Sequence, residues 1–154
     1  MKKKVLFFTV VLIFLESVLV SFNHIELARP VNTHYASLIN AISFHESGHN
    51  DYAIGDLNLE DHAYGRLQIR KSCLNDVNNV FHLKIREKDL LGDSALSVFV
   101  FQKYIEIYAN PKKLKKNPSF EDIARIWNGG PDGYKKSYTQ SYWKKVKKQL
   151  AFVK

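Results

Sequence analysis

This chain of 154 residues has a single cysteine, Cys73. That excludes an intramolecular disulfide and any metal centre built from several thiolates. It leaves Cys73 as a small, partly buried residue of the core. No internal repeat recurs, and nothing marks a second domain. Acidic residues are in deficit: 15 Asp and Glu stand against 23 Lys and Arg, for a formal charge of +8. Such an excess favours polyanionic partners, whether nucleic acid, an acidic membrane surface or an anionic cell wall. No nucleic-acid reading motif accompanies it, which leaves nucleic acid without support.

The N-terminus carries an almost unbroken apolar run, Val5 to Leu15, behind Lys2, Lys3 and Lys4. A basic n-region followed by an apolar stretch of that length is the pattern of an export segment. Glu16 interrupts the run too early for a comfortable membrane span. Residues 1–22 are therefore expected to be a signal peptide or an N-terminal anchor. Residues 23–33, with Pro30 as a breaker, read as a linker, and 34–154 as one domain with a core of moderate size. The working part is expected outside the cytoplasm: periplasmic, in the cell envelope or extracellular.

A helix is expected from Asn32 or Thr33, either of which can cap it. Tyr35, Leu38, Ile39 and Ile42 then form one apolar stripe. At about 100° per residue, Glu46 falls in the middle of that stripe, one turn after Ile42. A carboxylate placed there loses hydration of its charged form, so its pKa rises. Glu46 is thus a candidate catalytic acid; a buried Glu tied up by an arginine or by backbone donors is the structural alternative. Gly48, Asn50 and Asp51 end the helix. Tyr52 to Gln68 reads as a loop with short strands, or a small hairpin. A short helix is expected within Ile69 to Phe81. Asp93 or Ser94 caps a helix running to about Tyr108, with apolar residues almost all round it, as in a central buried helix. Asn110 to Asn117 reads as a solvated basic loop. Ser119 and Asp122 form a capping box for a helix that stops at Asn128-Gly129-Gly130-Pro131. A last helix from about Thr139 turns Trp143, Val146 and Leu150 inward and Lys144, Lys145, Lys147 and Lys148 outward.

Two patterns claim Glu46. His45-Glu46-Ser47-Gly48-His49 matches H-E-x-x-H, in which two histidines on one helical face bind zinc and the Glu is the general base of a metallopeptidase. Against it, Gly48, Asn50 and Asp51 weaken the helix where the second ligand must be held. Tyr52 and Gly55 also stand where the longer form of the motif needs Gly and His. The second pattern uses more of the chain. Glu46-Ser47 at a helix end is followed by Asn50, Ala53 and Gly65-Arg66-Leu67-Gln68, then by Ile126-Trp127-Asn128-Gly129-Gly130 and Tyr142-Trp143.

In that order and spacing, over roughly residues 35 to 150, the chain resembles the lysozyme-like lytic transglycosylase (SLT-type) domain. The family shows E-S, then G-L-M-Q, then A-Y-N. The resemblance implies a mainly α, lysozyme-like α+β fold with a small loop or hairpin segment beside the groove. It implies cleavage of the β-1,4 bond between N-acetylmuramic acid and N-acetylglucosamine in peptidoglycan, without cofactor or metal. Glu46 matches the single catalytic acid/base. Ser47, Gly65, Gln68, Asn128 and Tyr142 match substrate-side positions: Gly65 and Gln68 the groove-lining loop, Asn128 the asparagine near the scissile sugar, Tyr142 the tyrosine that closes the site. The sequence departs from the pattern at Arg66 and Leu67, at Trp127, and at Gly55, where many members carry a second serine. Peptidoglycan strands are the expected partner of a monomer, with a cell-envelope or secretion-apparatus protein as a further one. The membrane is engaged only through the N-terminal segment, and the positive charge is assigned to attraction toward the anionic wall.

The residue chemistry agrees. A Glu of raised pKa can protonate a glycosidic oxygen near neutral pH. A transglycosylase then uses the sugar's own hydroxyl and yields an anhydro product. A hydrolase uses water and ordinarily a second carboxylate. Asp56, Glu60 and Asp61 are the candidates for it, and Tyr52, Tyr64 and Trp127 are candidates for stacking on sugar rings. Hydrolase and lytic transglycosylase both remain open on the sequence, with the resemblance favouring the latter.

Overall fold

Apolar stripes of helical period separated by a short glycine-containing segment dictate helices around one small sheet, and the computed structural model has that architecture. It describes residues 35–152, all within the second of the chain's two units, Asn32–Lys154. The expected export segment, the linker and the expected caps Asn32 and Thr33 lie outside the described residues. Among the described residues, no helix is long and apolar enough to cross a membrane.

Helix α1 runs Ala36–Ser47 and buries Leu38, Ile39, Ala41 and Ile42 on one side. Gly48, at φ 62°, caps it, and the His49 amide reaches back to the Ser43 carbonyl at 3.3 Å. That six-residue closure is a left-handed helix stop, which glycine adopts without steric penalty. Three two-residue strands follow, β1 Ile54–Gly55, β2 Ala63–Tyr64 and β3 Ile69–Arg70. They form one antiparallel sheet in the order β1-β2-β3. The register sets Gly55 opposite Ala63 and Ala63 opposite Arg70, so these three share one face.

Helix α2 spans Lys71–Phe81, and a 3-10 turn, Glu87–Leu90, leads to α3, Ser94–Tyr108. The Asp93 carboxylate accepts from the Leu96 amide at 2.8 Å and fixes where α3 starts. Helix α3 is central but not enclosed: Ser97, Val100, Phe101, Tyr104 and Ile105 are buried, whereas Leu96, Val98, Phe99 and Ile107 are half-buried. Its apolar residues exceed the surface that α2 and α5 cover, so part of one face stays at the rim. The expected loop 110–117 contains one helical turn, α4 Pro111–Leu114. Asn110 caps it and Pro111 occupies its first position, a pairing that pre-forms a turn even among lysines. Leu114 anchors that turn in the core.

Helix α5 spans Phe120–Gly129 with the expected capping box: Ser119 Oγ accepts from the Asp122 amide and the Asp122 carboxylate from the Ser119 amide. After a 3-10 turn at Gly133–Lys135, helix α6 runs Thr139–Leu150, packs on α5 and α1, and buries Val146. Lys144, Lys145, Lys147 and Lys148 are exposed along it. The α5–α6 junction is held from inside by Arg125. Its Nε donates to Thr139 Oγ1 at 2.9 Å, its Nη2 to the Lys136 carbonyl, and its Nη1 to Glu121. A buried guanidinium with each edge satisfied locks the turn that brings α6 back across α1. Phe101, Leu38, Ile42, Leu67 and Ile126 are among the fully buried side chains. Each such burial contributes about 1.5–3 kcal/mol, against about 1 kcal/mol for a cap, so the core sets stability and the caps set where helices begin. Accordingly, Ser119→Ala should lower stability by about 1 kcal/mol in urea titration while leaving the helical circular-dichroism signal intact.

Candidate active site

Glu46 lies in the last turn of α1, one turn beyond the fully buried Ile42. It points into a cleft of about 530 Å³ between α1, the sheet, α2, α3 and the end of α5. Across the helix packing, the Tyr142 hydroxyl on α6 donates to Glu46 Oε1 at 2.6 Å. Burial pushes the Glu46 carboxyl up to about 6. The Tyr142 hydrogen bond opposes that rise, the Asp56 charge adds to it, and the Arg70 guanidinium opposes it. Burial, together with the Glu46 charge and hydrogen bond, holds the Tyr142 phenol well above its ordinary value, so Tyr142 keeps the proton it donates to Glu46.

The Gly65-Arg66-Leu67-Gln68 stretch forms a tight turn. The Gln68 amide donates to the Gly65 carbonyl at 3.0 Å, and its side-chain Nε2 donates to the same oxygen at 2.9 Å. Gly65 sits at φ 68° with the Leu90 carbonyl only 2.9 Å from where a Cβ would be, so both backbone and space call for glycine. Leu67 is fully buried beneath the turn. Arg66 forks onto Asp51 at 2.5 and 3.1 Å, and its carbonyl accepts the Ser47 hydroxyl at 2.9 Å. Ser47 therefore ties the end of α1 to the turn that carries Gln68. Gln68 itself lines the cleft at φ 50°. Its Oε1 stands 2.0 Å from where a Cβ on Gly55 would be, so a side chain there would have to displace the Gln68 amide.

Of the expected site residues, Glu46, Gln68 and Asn128 line one cleft. Asn128 is exposed at the end of α5, where the Gly129-Gly130 stop turns the chain. Ser47 and Gly65 act behind it through the turn, and Tyr142 through the Glu46 carboxylate. Trp127 lines the cleft, its ring 4.8 Å from Phe101 and edge-on to Tyr104 at 5.7 Å. Tyr52 lies elsewhere, exposed and packed against Gly92, and Tyr64 sits by His62. Of the three candidate second carboxylates, Asp56 alone lines the cleft; Glu60 does not, and Asp61 accepts from the Lys71 amide. Sequence reasoning missed Arg70, which lines the cleft beside Asp56 and bonds to it. No spacing pointed to it, because Gln68 leaves the turn at positive φ and the strand begins only at Ile69.

The zinc arrangement does not form. Helix α1 ends at Ser47, and His49, beyond the cap at φ 67°, contacts the Ser43 hydroxyl through Nδ1 at 3.2 Å. The two histidines are therefore not an i, i+4 pair on one helical face. Among the described residues, no three His, Cys, Asp or Glu side chains are grouped to hold a metal ion.

The raised Glu46 pKa has a consequence for stability. Folded protein holds the Glu46 proton up to about pH 6, whereas the unfolded chain releases it near the ordinary value of 4.5. Between those values the native state binds more protons, so stability falls as pH rises through the window, by about 2 kcal/mol in total. Glu46→Gln removes that penalty. It should be the more stable protein at pH 8 by about 1–2 kcal/mol in urea unfolding, with the gain fading below pH 4.5.

No protein-family model matches the chain, and no curated protein does. Solved structures do. In the crystal structure of Aeromonas hydrophila PliI in complex with Meretrix lusoria lysozyme, the matching chain is 25% identical with a TM-score of 0.61. Inhibitor-bound lysozyme from Meretrix lusoria matches at 25% identity and a TM-score of 0.60. Tapes japonica lysozyme matches at 22% and 0.60. Each alignment covers 73% of this chain and 88% of the other. The mainly α body, the small three-stranded antiparallel sheet and these likenesses together establish a lysozyme-like fold for the chain.

Proposed function

We propose that the chain is a muramidase that cleaves the β-1,4 bond between N-acetylmuramic acid and N-acetylglucosamine in peptidoglycan. The observation that carries this reading is the pairing of a half-buried, Tyr142-bonded Glu46 with Asp56 on one cleft. The likeness to lysozymes supports it.

Glu46, with its carboxyl pushed up to about 6, is the general acid. Its proton passes to the glycosidic oxygen as the C1–O bond breaks, and positive charge develops on the sugar ring. The resulting Glu46 carboxylate is stabilised by the Tyr142 hydroxyl already donating to it. Asp56 faces the developing charge and serves as the second carboxylate, as nucleophile or as base for water. The Trp127 ring edge, braced by Phe101 and Tyr104, offers an apolar wall for a sugar ring. Gln68 and Asn128 supply amide groups to orient sugar substituents. The export segment read in residues 1–22 and the charge of +8 fit a substrate that is anionic and outside the cytoplasm.

A lytic transglycosylase, which the sequence resemblance favoured, needs only Glu46. The presence of Asp56 on the same cleft favours hydrolysis. Glu46→Gln should lower the rate of muropeptide release from purified sacculi by about 10²–10⁴-fold with the fold retained; undiminished release would overturn the assignment. The wild-type rate should decline on the alkaline side of about pH 6 as Glu46 ionises. Mass analysis of the released muropeptides should show reducing ends; 1,6-anhydro ends would place the chain among the lytic transglycosylases instead.

A further inference from the structure

We propose that Arg70 is the positioning residue of the site, fixing the Asp56 carboxylate toward the cleft that Glu46 occupies. This rests on the assignment of Asp56 as the second carboxylate. Asp56 by itself is poorly constrained. It follows β1 in a left-handed backbone conformation at φ 56°, its side chain is exposed, and the chain beyond it is loop. Asparagine and aspartate tolerate that conformation, but nothing in it selects a side-chain direction.

The sheet supplies the direction. Gly55, Ala63 and Arg70 lie in one row across the three strands, and all three line the cleft. The row presents no side chain, then a methyl group, then a guanidinium. Arg70 can therefore lie flat across the floor of the cleft and reach Asp56 at the far edge, where Nη2 donates to Oδ2. Its Nη1 is committed to the Asp61 carbonyl at 2.6 Å, so the fork is held from both ends of the β1–β2 connection. A guanidinium held in this way is a rigid template for a carboxylate.

The pair is more than a brace. With 37% and 43% side-chain exposure, it contributes only about 0–1 kcal/mol to stability, so its loss leaves the domain folded. Its two charges also reach Glu46. The groups facing Glu46 are Tyr142 from α6, Asp56 from the β1 end, Arg70 from β3, and Cys73 and Tyr104 on the walls given by α2 and α3. Asp56 and Arg70 act on Glu46 with opposite sign, so the pair keeps a negative carboxylate beside the acid without locking its proton on.

The test uses full-length wild type, Arg70→Gln, Arg70→Lys, Asp56→Asn and the Asp56→Asn/Arg70→Gln double variant. The Glu46 carboxyl is titrated by carbon-13 NMR, and kcat and KM are measured on sacculi. Arg70→Gln should move the Glu46 midpoint up, Asp56→Asn should move it down, and the double variant should return it close to wild type. In kcat, Arg70→Gln should lose about ten- to a hundred-fold with KM little changed, as expected for a misplaced group. Arg70→Lys should restore the midpoint but only part of kcat, because the charge returns without the fork. The proposal is overturned if Arg70→Gln keeps kcat within two-fold, if its loss falls on KM alone, or if the Glu46 midpoint is unmoved. If wild type releases no muropeptide, the muramidase reading fails, and the NMR titrations by themselves decide whether Arg70 and Asp56 act on Glu46 as a pair.

Discussion

The hydrogen bond from Tyr142 to Glu46 is the contact on which the site depends. It joins residues 96 apart in sequence, one on the first described helix and one on the last. A carboxylate at the end of an apolar stripe is costly to bury, and a phenol offers a partner that adds no charge. The donor stabilises the ionised form without neutralising it, and so limits the rise that burial causes to about 6. For Tyr142 to stand there, α6 must return across α1. That return is made at the 3-10 turn, where Arg125 satisfies Thr139 and the Lys136 carbonyl from within the protein. A network remote from the cleft thereby sets the geometry of the acid.

The opposite wall is built by a different means. Strands of two residues cannot stabilise a sheet by themselves. The segment is held by its connections: Ser47 to the Arg66 carbonyl, Arg66 to Asp51, Gln68 to Gly65, and Arg70 to Asp56 and Asp61. Asp56 and Gln68 both adopt positive φ. Such conformations cost free energy and persist only where neighbouring contacts over-determine them, and here both occur at residues lining the cleft. One wall of the cleft is thus a rigid helix end, and the other is a polar clamp that holds a strained loop.

The chain's own pattern located several helix ends. The Ser119–Asp122 capping box, the Asp93 cap, the glycine stop after α1 and the stop at Gly129-Gly130 are local signals, satisfied by residues within three or four positions. Glu46 was legible for the same reason, since helical periodicity alone puts it on the buried stripe. The pattern misled where local rules compete. His45 and His49 share a helical face on paper, but the glycine between them ends the helix two residues before His49. Asn110 and Pro111 made a helical turn out of a stretch whose lysines suggested a loop.

By itself, then, the sequence determined the helical scaffold and the position of the acid on it, because both follow from spacing along the chain; the loop that carries Gln68 was implied by the resemblance. Only the tertiary structure decided what that acid meets. It selected Asp56 over Glu60 and Asp61 as the carboxylate on the cleft, and Trp127 over Tyr52 and Tyr64 as the aromatic there. It also set Arg70 against Asp56 and Tyr142 against Glu46. These are pairings between elements far apart in sequence. No periodicity encodes them, because the distance between two side chains on different elements is fixed by how the core packs rather than by their separation along the chain.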